Sequence, residues 1–252
     1  LYLPFKPKRR TRAQIAREAG LEPLADTLLA DPLLVPEQEA LKFIRVVPAS
    51  EGVEAVNVPD VKAALEGARD ILMERFAETA DLLAAIRTRL WNEGVLTSTV
   101  MKDKETAEEE KFRDYYAYSE PIKAIPSHRA LALFRGRTLG VLKLELGLGE
   151  ALDAMVPHPC VAMIAAHAGI ADRGRPADKW LAGVCDWTWR VKMHLTISAE
   201  LLVQLREAAE TEAIRIFAKN LHELLLAAPA GPKAILGLDP GIRTGCKVAV
   251  VD

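Results

Sequence analysis

The residue best placed to do chemistry in this sequence is Asp239, which follows a short apolar stretch near the C-terminal end. Ile235–Leu238 predicts a strand, Pro240 and Gly241 predict a turn, and Cys246–Val251 predicts the second strand of a hairpin. A carboxylate at the end of a buried strand suits a metal ion, because two-metal phosphoryl chemistry holds its cations between several such groups. The alternative is that Asp239 only starts the turn. Since magnesium would need more than this one carboxylate, Asp239 stays a candidate metal ligand, and no metal, cofactor or catalytic residue is assigned.

The turn of the same hairpin could instead cradle a phosphate. Gly241, Thr244 and Gly245 are similar to the turn with which sugar-kinase and chaperone ATPase folds begin. The sequence has no Gly-Lys-Ser/Thr at the Walker spacing, so a P-loop is excluded. A metal-dependent nuclease or phosphotransferase whose active site starts at Asp239 is an alternative function.

A basic arm near the N-terminal end is the second feature that could bind a ligand. Its basic side chains are Lys6, Lys8, Arg9, Arg10 and Arg12. Such a density of positive charge attracts phosphates, which supply affinity without sequence preference and lose it steeply as salt rises. The alternative is a solvated arm. The arm predicts nucleic acid as a partner, either RNA or DNA.

Two short helices are predicted after the arm, with helix-turn-helix character. Thr11 is a candidate cap for a helix over 12–19 that Gly20 ends, and a second helix covers 22–30. An ordinary pair of antiparallel helices is the alternative. The second helix carries few side chains that read bases, which disfavours sequence-specific recognition in the major groove.

A second basic patch could extend the nucleic-acid track. Arg135 and Arg137 lie at the end of a helix predicted near 127–137, with Arg129 on the same helix. Arg173 and Arg175, in a predicted loop, could join them. A solvated surface is the favoured interpretation of this patch, although Arg135 and Arg137 are included with the arm among the predicted nucleic-acid contacts.

The histidines and cysteines that could bind zinc do not have the spacing of a zinc site. They are His158, Cys160, His167, Cys185 and His194. No CxxC or HxxxH pattern occurs among them, so buried structural residues are the favoured interpretation. No GxSxG motif is present, and no catalytic triad can be assembled from the sequence.

Two groups of aromatic residues are predicted to be structural. Trp180, Val184, Trp187 and Val191 share one face of a predicted helix, which indicates core packing. Tyr115, Tyr116 and Tyr118 lie close to basic residues and are a better candidate for base stacking. A packed aromatic helix over 112–118 is still the favoured alternative for the tyrosines.

The composition is that of a folded, mainly helical chain. Its 252 residues are 50% hydrophobic and 27% charged, with a net charge of −2 and only 6% aromatic residues. This excludes an intrinsically disordered chain, and the abundance of Ala and Leu argues against a β-sandwich or barrel. No apolar run approaches the roughly 20 residues that span a bilayer, so no membrane partner is expected. Three cysteines without a CxxC pair exclude a disulfide scaffold.

The periodicity predicts a mainly α, multi-lobed helical body with a small β element. Apolar residues recur every three or four positions from Val61 to Leu90, behind Asp60 as a helix cap, and Ser198 is a candidate cap for the last helix. Strands near 95–100 and 141–148 alternate in polarity and are expected to pair. The predicted domains are 1–32, 33–229 and the truncated C-terminal hairpin 233–252.

Four segments of this sequence resemble the Tex family of bacterial transcription accessory proteins. The segment LGLDPGIRTGCKVAVVD is similar to the start of the family's YqgF-type, RNase H-like domain. The segments LYLPFKPKRRTRAQIAREAGLEPLADTLLADP, KFRDYYAYSEPIKAIPSHRALALFRGR and IADRGRPADKW are similar to its helical N-terminal region. The resemblance covers essentially the whole chain, and it implies that the sequence is an excerpt from a longer protein.

The resemblance implies a cytoplasmic, nucleic-acid-binding scaffold linked to transcription, similar in architecture to a eukaryotic elongation factor that binds histones. In the family, the rest of the YqgF-like domain, helix-hairpin-helix elements and an OB-fold RNA-binding module would follow Asp252. Asp239 matches the first acidic position of the nuclease-like fold, but the family is regarded as lacking a complete catalytic set there. The expectation is therefore a monomer without catalysis of its own, or alternatively a helical module that docks the transcription machinery.

Overall fold

The computed structural model describes residues 10–47, 56–101, 110–229, 231–241 and 245–252. It divides into two units, Leu1–Ala209 and Glu210–Asp252. Within the described residues the fold is mainly helical with small antiparallel sheets, which confirms the predicted fold class. None of the helices described is long and apolar enough to cross a membrane.

Three short helices begin the described chain and pack on a longer fourth helix. They are α1 (Arg12–Glu18), α2 (Glu22–Ala30), α3 (Pro36–Leu41) and α4 (Val61–Ala77). Thr11 caps α1 as predicted, because its hydroxyl accepts the Gln14 backbone N–H at 3.0 Å. Gly67 of α4 lies so close to the Leu21 side chain that a Cβ there would overlap it. A short antiparallel pair, β1 (Arg45–Val47) and β2 (Val56–Val58), precedes α4.

The long periodic stretch after Asp60 forms two helices, although its apolar pattern runs without a break. The first is α4, and the second is α5 (Ala80–Glu93). Thr79 between them has an extended backbone (φ −75°, ψ 109°), and its hydroxyl donates to the Arg75 carbonyl at 3.0 Å. Asp60 caps α4 as predicted and accepts the Ala63 N–H at 2.7 Å.

The central sheet has three antiparallel strands. They are β3 (Val95–Val100), β4 (Ala117–Pro121) and β5 (Leu142–Gly147), in the order β4-β3-β5. The predicted pairing of the first and last is confirmed, with Val95 opposite Gly147 and Val100 opposite Leu142. The predicted helix over 112–118 is wrong, since a 3-10 helix at Glu110–Tyr115 leads directly into β4. The β4 strand pairs with β3 and so satisfies the backbone groups along the second edge of that strand.

The rest of the first unit is helical, and its last two long helices are joined by a wide turn. The helices are α6 (Ser127–Thr138), α7 (Glu150–Asp153), α8 (Pro159–His167), α9 (Asp178–Trp187) and α10 (His194–Leu225). A π-helical turn, Thr188–Met193, connects α9 to α10. Because the wide turn continues straight into helix, Ser198 lies inside α10 and does not cap it as predicted.

Two tryptophans near the start of the π-helical turn differ in burial: Trp187 ends α9, and Trp189 lies within the turn. A π turn shifts the helical register, so residues beyond it no longer follow the α-helical face. Trp187 and Val191 are 47% and 45% exposed, whereas Trp189 is 5% exposed. The predicted core face is therefore wrong at Trp187 and Val191, while Val184 is buried as expected.

The second unit contains the C-terminal part of α10 and the predicted hairpin. The hairpin consists of β6 (Ile235–Pro240) and β7 (Cys246–Val251), paired with Ile235 opposite Val251. Asp239 lies on β6 opposite Lys247. All the described side chains of both strands are exposed, including those of Leu238 and Val250.

Asp178 anchors the loop before α9 and is itself 1% exposed. Its carboxylate accepts the backbone N–H groups of Arg173 at 2.7 Å and Arg175 at 2.9 Å, and the Arg175 Nε–H at 2.9 Å. The hydrogen bond from the Arg175 side chain is the main reason that the pKa of Asp178 falls to about 2, and the two backbone groups add to it. The neighbouring Ala177 N–H donates to the Pro32 carbonyl at 3.1 Å, which ties this loop to the end of α2.

We expect two glycine-to-alanine substitutions in helices to change stability in opposite directions. A Cβ on Gly136 of α6 would lie 2.8 Å from Leu142 Cγ, in a buried contact, whereas a Cβ on Gly183 of α9 meets nothing within 4 Å. Gly136→Ala should lower the free energy of unfolding by about 1–3 kcal/mol through overpacking. Gly183→Ala should raise it by about 1 kcal/mol through helix propensity. Urea titrations followed by circular dichroism measure both, and equal effects would contradict the packing at Gly136.

We expect Asp178 to make the protein sensitive to acid. Its pKa is depressed in the folded state, so its contribution to stability is complete above the unfolded-state pKa and is lost as pH falls from about 4 to about 2. Asp178→Asn should therefore be less stable than the parent at neutral pH, and its stability should fall less over that acidic interval. Thermal unfolding from pH 7 to pH 2 compares the two proteins, and parallel curves would count against the role of Asp178.

Candidate nucleic-acid interface

The described part of the basic arm begins at Arg10. Lys6, Lys8 and Arg9 lie outside the described residues. Arg10 forms an ion pair with Glu18 of α1, and this hydrogen bond is the main reason that the pKa of Glu18 is lowered. Arg12 is exposed on the first turn of α1 and has no ion pair within the described part of the chain.

Basic side chains deeper in the first helices hold the fold together. Arg17 of α1 donates to Glu74 of α4 at 2.7 Å, and Arg75 of α4 pairs with Asp26 of α2 at 2.8 Å. These pairs fasten the first two helices to α4. The exposed side of α2 carries Glu22 and Asp26, whose negative charge opposes insertion into a DNA groove.

Four basic residues, two on each of two segments, flank the residues of one buried contact. Phe112 of the 3-10 helix packs against Gly136 of α6, where an added Cβ would lie 3.1 Å from the ring. Lys111 and Arg113 flank Phe112, and Arg135 and Arg137 flank Gly136. Adjacent helical residues differ in direction by about 100°, so each pair emerges on either side of the contact. We call these four residues the basic cluster.

All four side chains of the basic cluster are exposed. None of them forms an ion pair with an acidic residue among those that the structure describes. Lys111 and Arg113 therefore flank the same contact as the predicted residues Arg135 and Arg137. The close approach of Phe112 to Gly136 is a tertiary contact over more than twenty positions, so no local pattern indicates it.

Arg129 and the nearby tyrosines are engaged with one another. Tyr118 donates its hydroxyl to Glu120, and Arg129 approaches the same carboxylate at 3.4 Å. Burial, followed by the bond to Glu120, raises the pKa of Tyr118. The rings of Tyr115 and Tyr118 meet edge to face at 5.6 Å. These contacts favour a structural role over base stacking.

Arg175, of the second predicted patch, is also committed to the fold. It pairs with Asp178 at 2.8 Å and donates to the Ala171 carbonyl at 3.1 Å. Of the two loop arginines, Arg175 is thus held by Asp178 at the start of α9. The loop therefore does not extend the basic cluster as a row of available cations.

Two of these histidines have individual structural partners, and two of the cysteines are buried. His158 Nε2 lies 3.0 Å from Asp153, and His194 Nε2 donates to the Leu146 carbonyl at 2.8 Å. Cys160 and Cys185 are buried, which raises the pKa of each thiol to about 12. Among the described residues, no group of three His, Cys, Asp or Glu side chains could hold a metal ion.

Comparison with known proteins identifies the family of this chain. The family model described as Tex central region-like matches residues 31–217. The chain belongs to the Tex family. It is 55% identical to protein tex of Bordetella pertussis and 50% identical to transcriptional accessory protein Tex of Neisseria gonorrhoeae. In both comparisons the whole of this chain aligns with 31% of the length of the relative. It is also 28% identical to human S1 RNA-binding domain-containing protein 1, with 98% of the chain matched to 24% of that protein.

The Tex-family chain thus spans about a third of the length of its bacterial relatives. In this part of the family architecture, the candidate metal ligand Asp239 is an exposed side chain on β6. Its carboxylate lies 3.6 Å from Lys247 Nζ across the hairpin. Thr244, of the alternative phosphate-binding turn, lies outside the described residues.

We expect the three thiols of this Tex-family chain to react at very different rates. Cys246 is exposed on β7, whereas Cys160 and Cys185 are buried with raised pKa values. A thiol reagent such as DTNB at pH 8 should modify Cys246 quickly, and Cys246→Ser should remove that fast phase. Unfolding in guanidinium should release the other two thiols. Fast reaction of all three in the native protein would contradict the burial of Cys160 and Cys185.

Proposed function

We propose that this chain binds nucleic acid through phosphate contacts, as a non-catalytic accessory element of transcription. The observation that carries the proposal is the basic cluster: four exposed cations around the Phe112–Gly136 contact, without acidic partners in the described part of the chain. Elsewhere many exposed cations are neutralised, as Arg10 is by Glu18 and Arg87 is by Glu200 at 2.7 Å. An exposed cation without an acidic partner can form a charge-assisted hydrogen bond with a phosphate, and such contacts supply most of the affinity for nucleic acid.

The relatives support this proposal by their names. One relative is called a transcriptional accessory protein, and another is named for an S1 RNA-binding domain. Neither name describes an enzyme. We infer that the chain serves transcription in the cytoplasm. We also infer that RNA or DNA is its partner and that it acts close to the transcription machinery.

The proposed contacts position nucleic acid and do not read its sequence. Lysine and arginine on phosphates fix register and supply affinity, whereas specificity needs contacts with base edges. Arg12 and the arm residues Lys6, Lys8, Arg9 and Arg10 would add phosphate contacts of the same kind. The domain division at 32/33 and 229/233 and the monomeric state stay predictions.

The alternative of a nuclease beginning at Asp239 has less support. Within the described chain its carboxylate faces the cation of Lys247, and no other acidic side chain joins it in a metal-binding group. Two-metal phosphoryl transfer needs several carboxylates around the cations. We therefore propose no reaction for this chain.

We expect neutralisation of the basic cluster to weaken nucleic-acid binding. A variant with Lys111→Gln, Arg113→Gln, Arg135→Gln and Arg137→Gln should bind single-stranded RNA about tenfold or more weakly at 100 mM salt. The slope of log K against log salt should flatten by about 3, since each lost phosphate contact removes about 0.7. Fluorescence anisotropy with labelled single- and double-stranded RNA and DNA, titrated with salt, measures both quantities.

The control removes the same charge from other surfaces. Lys42, Lys62, Lys179 and Lys219 are exposed outside the cluster, and their change to Gln lowers the net charge equally. A third variant, with Lys8, Arg9 and Arg10 changed to Gln, measures the share of the arm. If the control loses as much affinity as the cluster variant, general charge and not this surface accounts for binding.

A further inference from the structure

A large cleft in the first unit has no role in the proposed function. It has a volume of about 1470 Å³ and lies between β5, the loop that follows it, α8, α9 and the π-helical turn. Pockets for drug-sized molecules measure about 300–1,000 Å³. The cleft is therefore large enough for several residues of a polypeptide.

The floor of the cleft is an aromatic group whose parts are fixed in place. Trp189 lies between two imidazoles, with ring centroids 5.1 Å from His158 and 5.0 Å from His194. His158 is held through Asp153 on one nitrogen and the Cys160 N–H on the other, at 3.0 and 3.1 Å. Trp189 is itself only 5% exposed, so this group forms a fixed, closed floor beneath the cleft.

The walls of the cleft are apolar, and so is part of its mouth. Ala162, Ala166 and Ala182 contribute exposed aliphatic surface, and Gly183 leaves the α9 wall bare, with open space where a Cβ would be. At the mouth, Met155 is 51% exposed and Val156 is 98% exposed. Concentrated apolar surface of this kind, with a polar rim, marks a site for a partner.

The charge of the rim of the cleft indicates which kind of partner could bind there. The described residues lining the cleft include one arginine, Arg190, and five carboxylates, at Glu145, Glu150, Asp153, Asp172 and Asp186. Arg190 is paired with Asp186 at 3.0 Å, and Glu145 with Lys143 at 2.7 Å. Glu150 and Asp172 have no ion pair among the described residues. This negative rim repels phosphates, so the cleft does not continue the basic cluster.

We propose that this cleft binds a peptide segment of a protein partner in which apolar side chains alternate with lysine or arginine. The apolar side chains fill the space over Gly183 and pack on the exposed alanines of α8 and α9, and the basic side chains lie against Glu150 and Asp172. Lysine and arginine suit such a boundary because their aliphatic stems pack on apolar walls while their charges reach the rim. Apolar burial supplies the affinity, and the carboxylates supply the selectivity.

The test uses a pair of labelled peptides and the full 252-residue chain. Both peptides are amphipathic, of about 14 residues with the same leucine positions; one carries lysine and the other glutamate on the polar side. Gly183→Trp introduces a bulky side chain into the cleft at a position where an added Cβ meets nothing within 4 Å, and Gly183→Ala is its matched control. Glu150→Lys reverses one rim charge on an exposed residue.

We expect the leucine–lysine peptide to bind the parent chain and the Gly183→Ala variant with equal affinity, as measured by fluorescence anisotropy. Gly183→Trp should weaken its binding at least tenfold, with an unchanged far-ultraviolet circular dichroism spectrum, and Glu150→Lys should weaken it several-fold. The leucine–glutamate peptide should bind at least tenfold more weakly than the lysine peptide.

Four results would overturn the proposal. The two peptides could bind alike, or Gly183→Trp could bind the lysine peptide as well as the parent does. Binding of the apolar dye ANS that Gly183→Trp abolishes, with no binding of either peptide, would identify a small apolar ligand as the occupant. Self-association in sedimentation velocity that Gly183→Trp abolishes would identify a second copy of this chain.

Discussion

The buried face of α4 is the contact on which the first unit depends. Ala64, Ala68, Ile71 and Leu72 are inaccessible to solvent there, and α1, α2, α3, α9 and the π-helical turn all pack on this helix. Small residues make this possible, because Gly67 admits the Leu21 and Ala16 side chains to the helix backbone. Ion pairs at the margin, such as Arg17 with Glu74, then fix the orientation of helices whose apolar contacts alone would allow sliding.

The two surfaces with functional interest both depend on β5. Leu142 at the start of this strand packs against Gly136, which places the basic cluster, while Glu145 and Leu146 near its end line the cleft. Three to four residues along a strand correspond to about 10–13 Å. Two surfaces of opposite charge thus share one rigid strand, and the net charge of −2 hides this separation.

Local features could be predicted from the sequence because their causes are local. Thr11 and Asp60 cap their helices with their own side chains, and the alternation of polarity over 142–148 indicates a strand whichever neighbour it pairs with. The division at Thr79 could not be predicted, since the apolar spacing continues through it. The β4 strand was also missed, because Tyr115, Tyr116 and Tyr118 suit an aromatic helix and a strand equally well, and only pairing with β3 decides between them.

The features of the two candidate sites were harder to predict, because they involve a contact between distant residues and a π-helical turn. Arg135 and Arg137 are visible as a pair of charges, but only the Phe112–Gly136 contact adds Lys111 and Arg113 to them. Trp187 ends α9 off the buried face that Leu181 and Val184 form, and it lies under the guanidinium of Arg69, 4.5 Å from its ring, whereas Trp189 within the π-helical turn is buried. π-helical turns are uncommon, because their widened backbone packs less well than an α-helix, and they persist where the displaced side chains serve a site. Here the displaced side chain is the floor of the cleft, so this irregularity of the fold and the proposed docking of a basic peptide have the same structural origin.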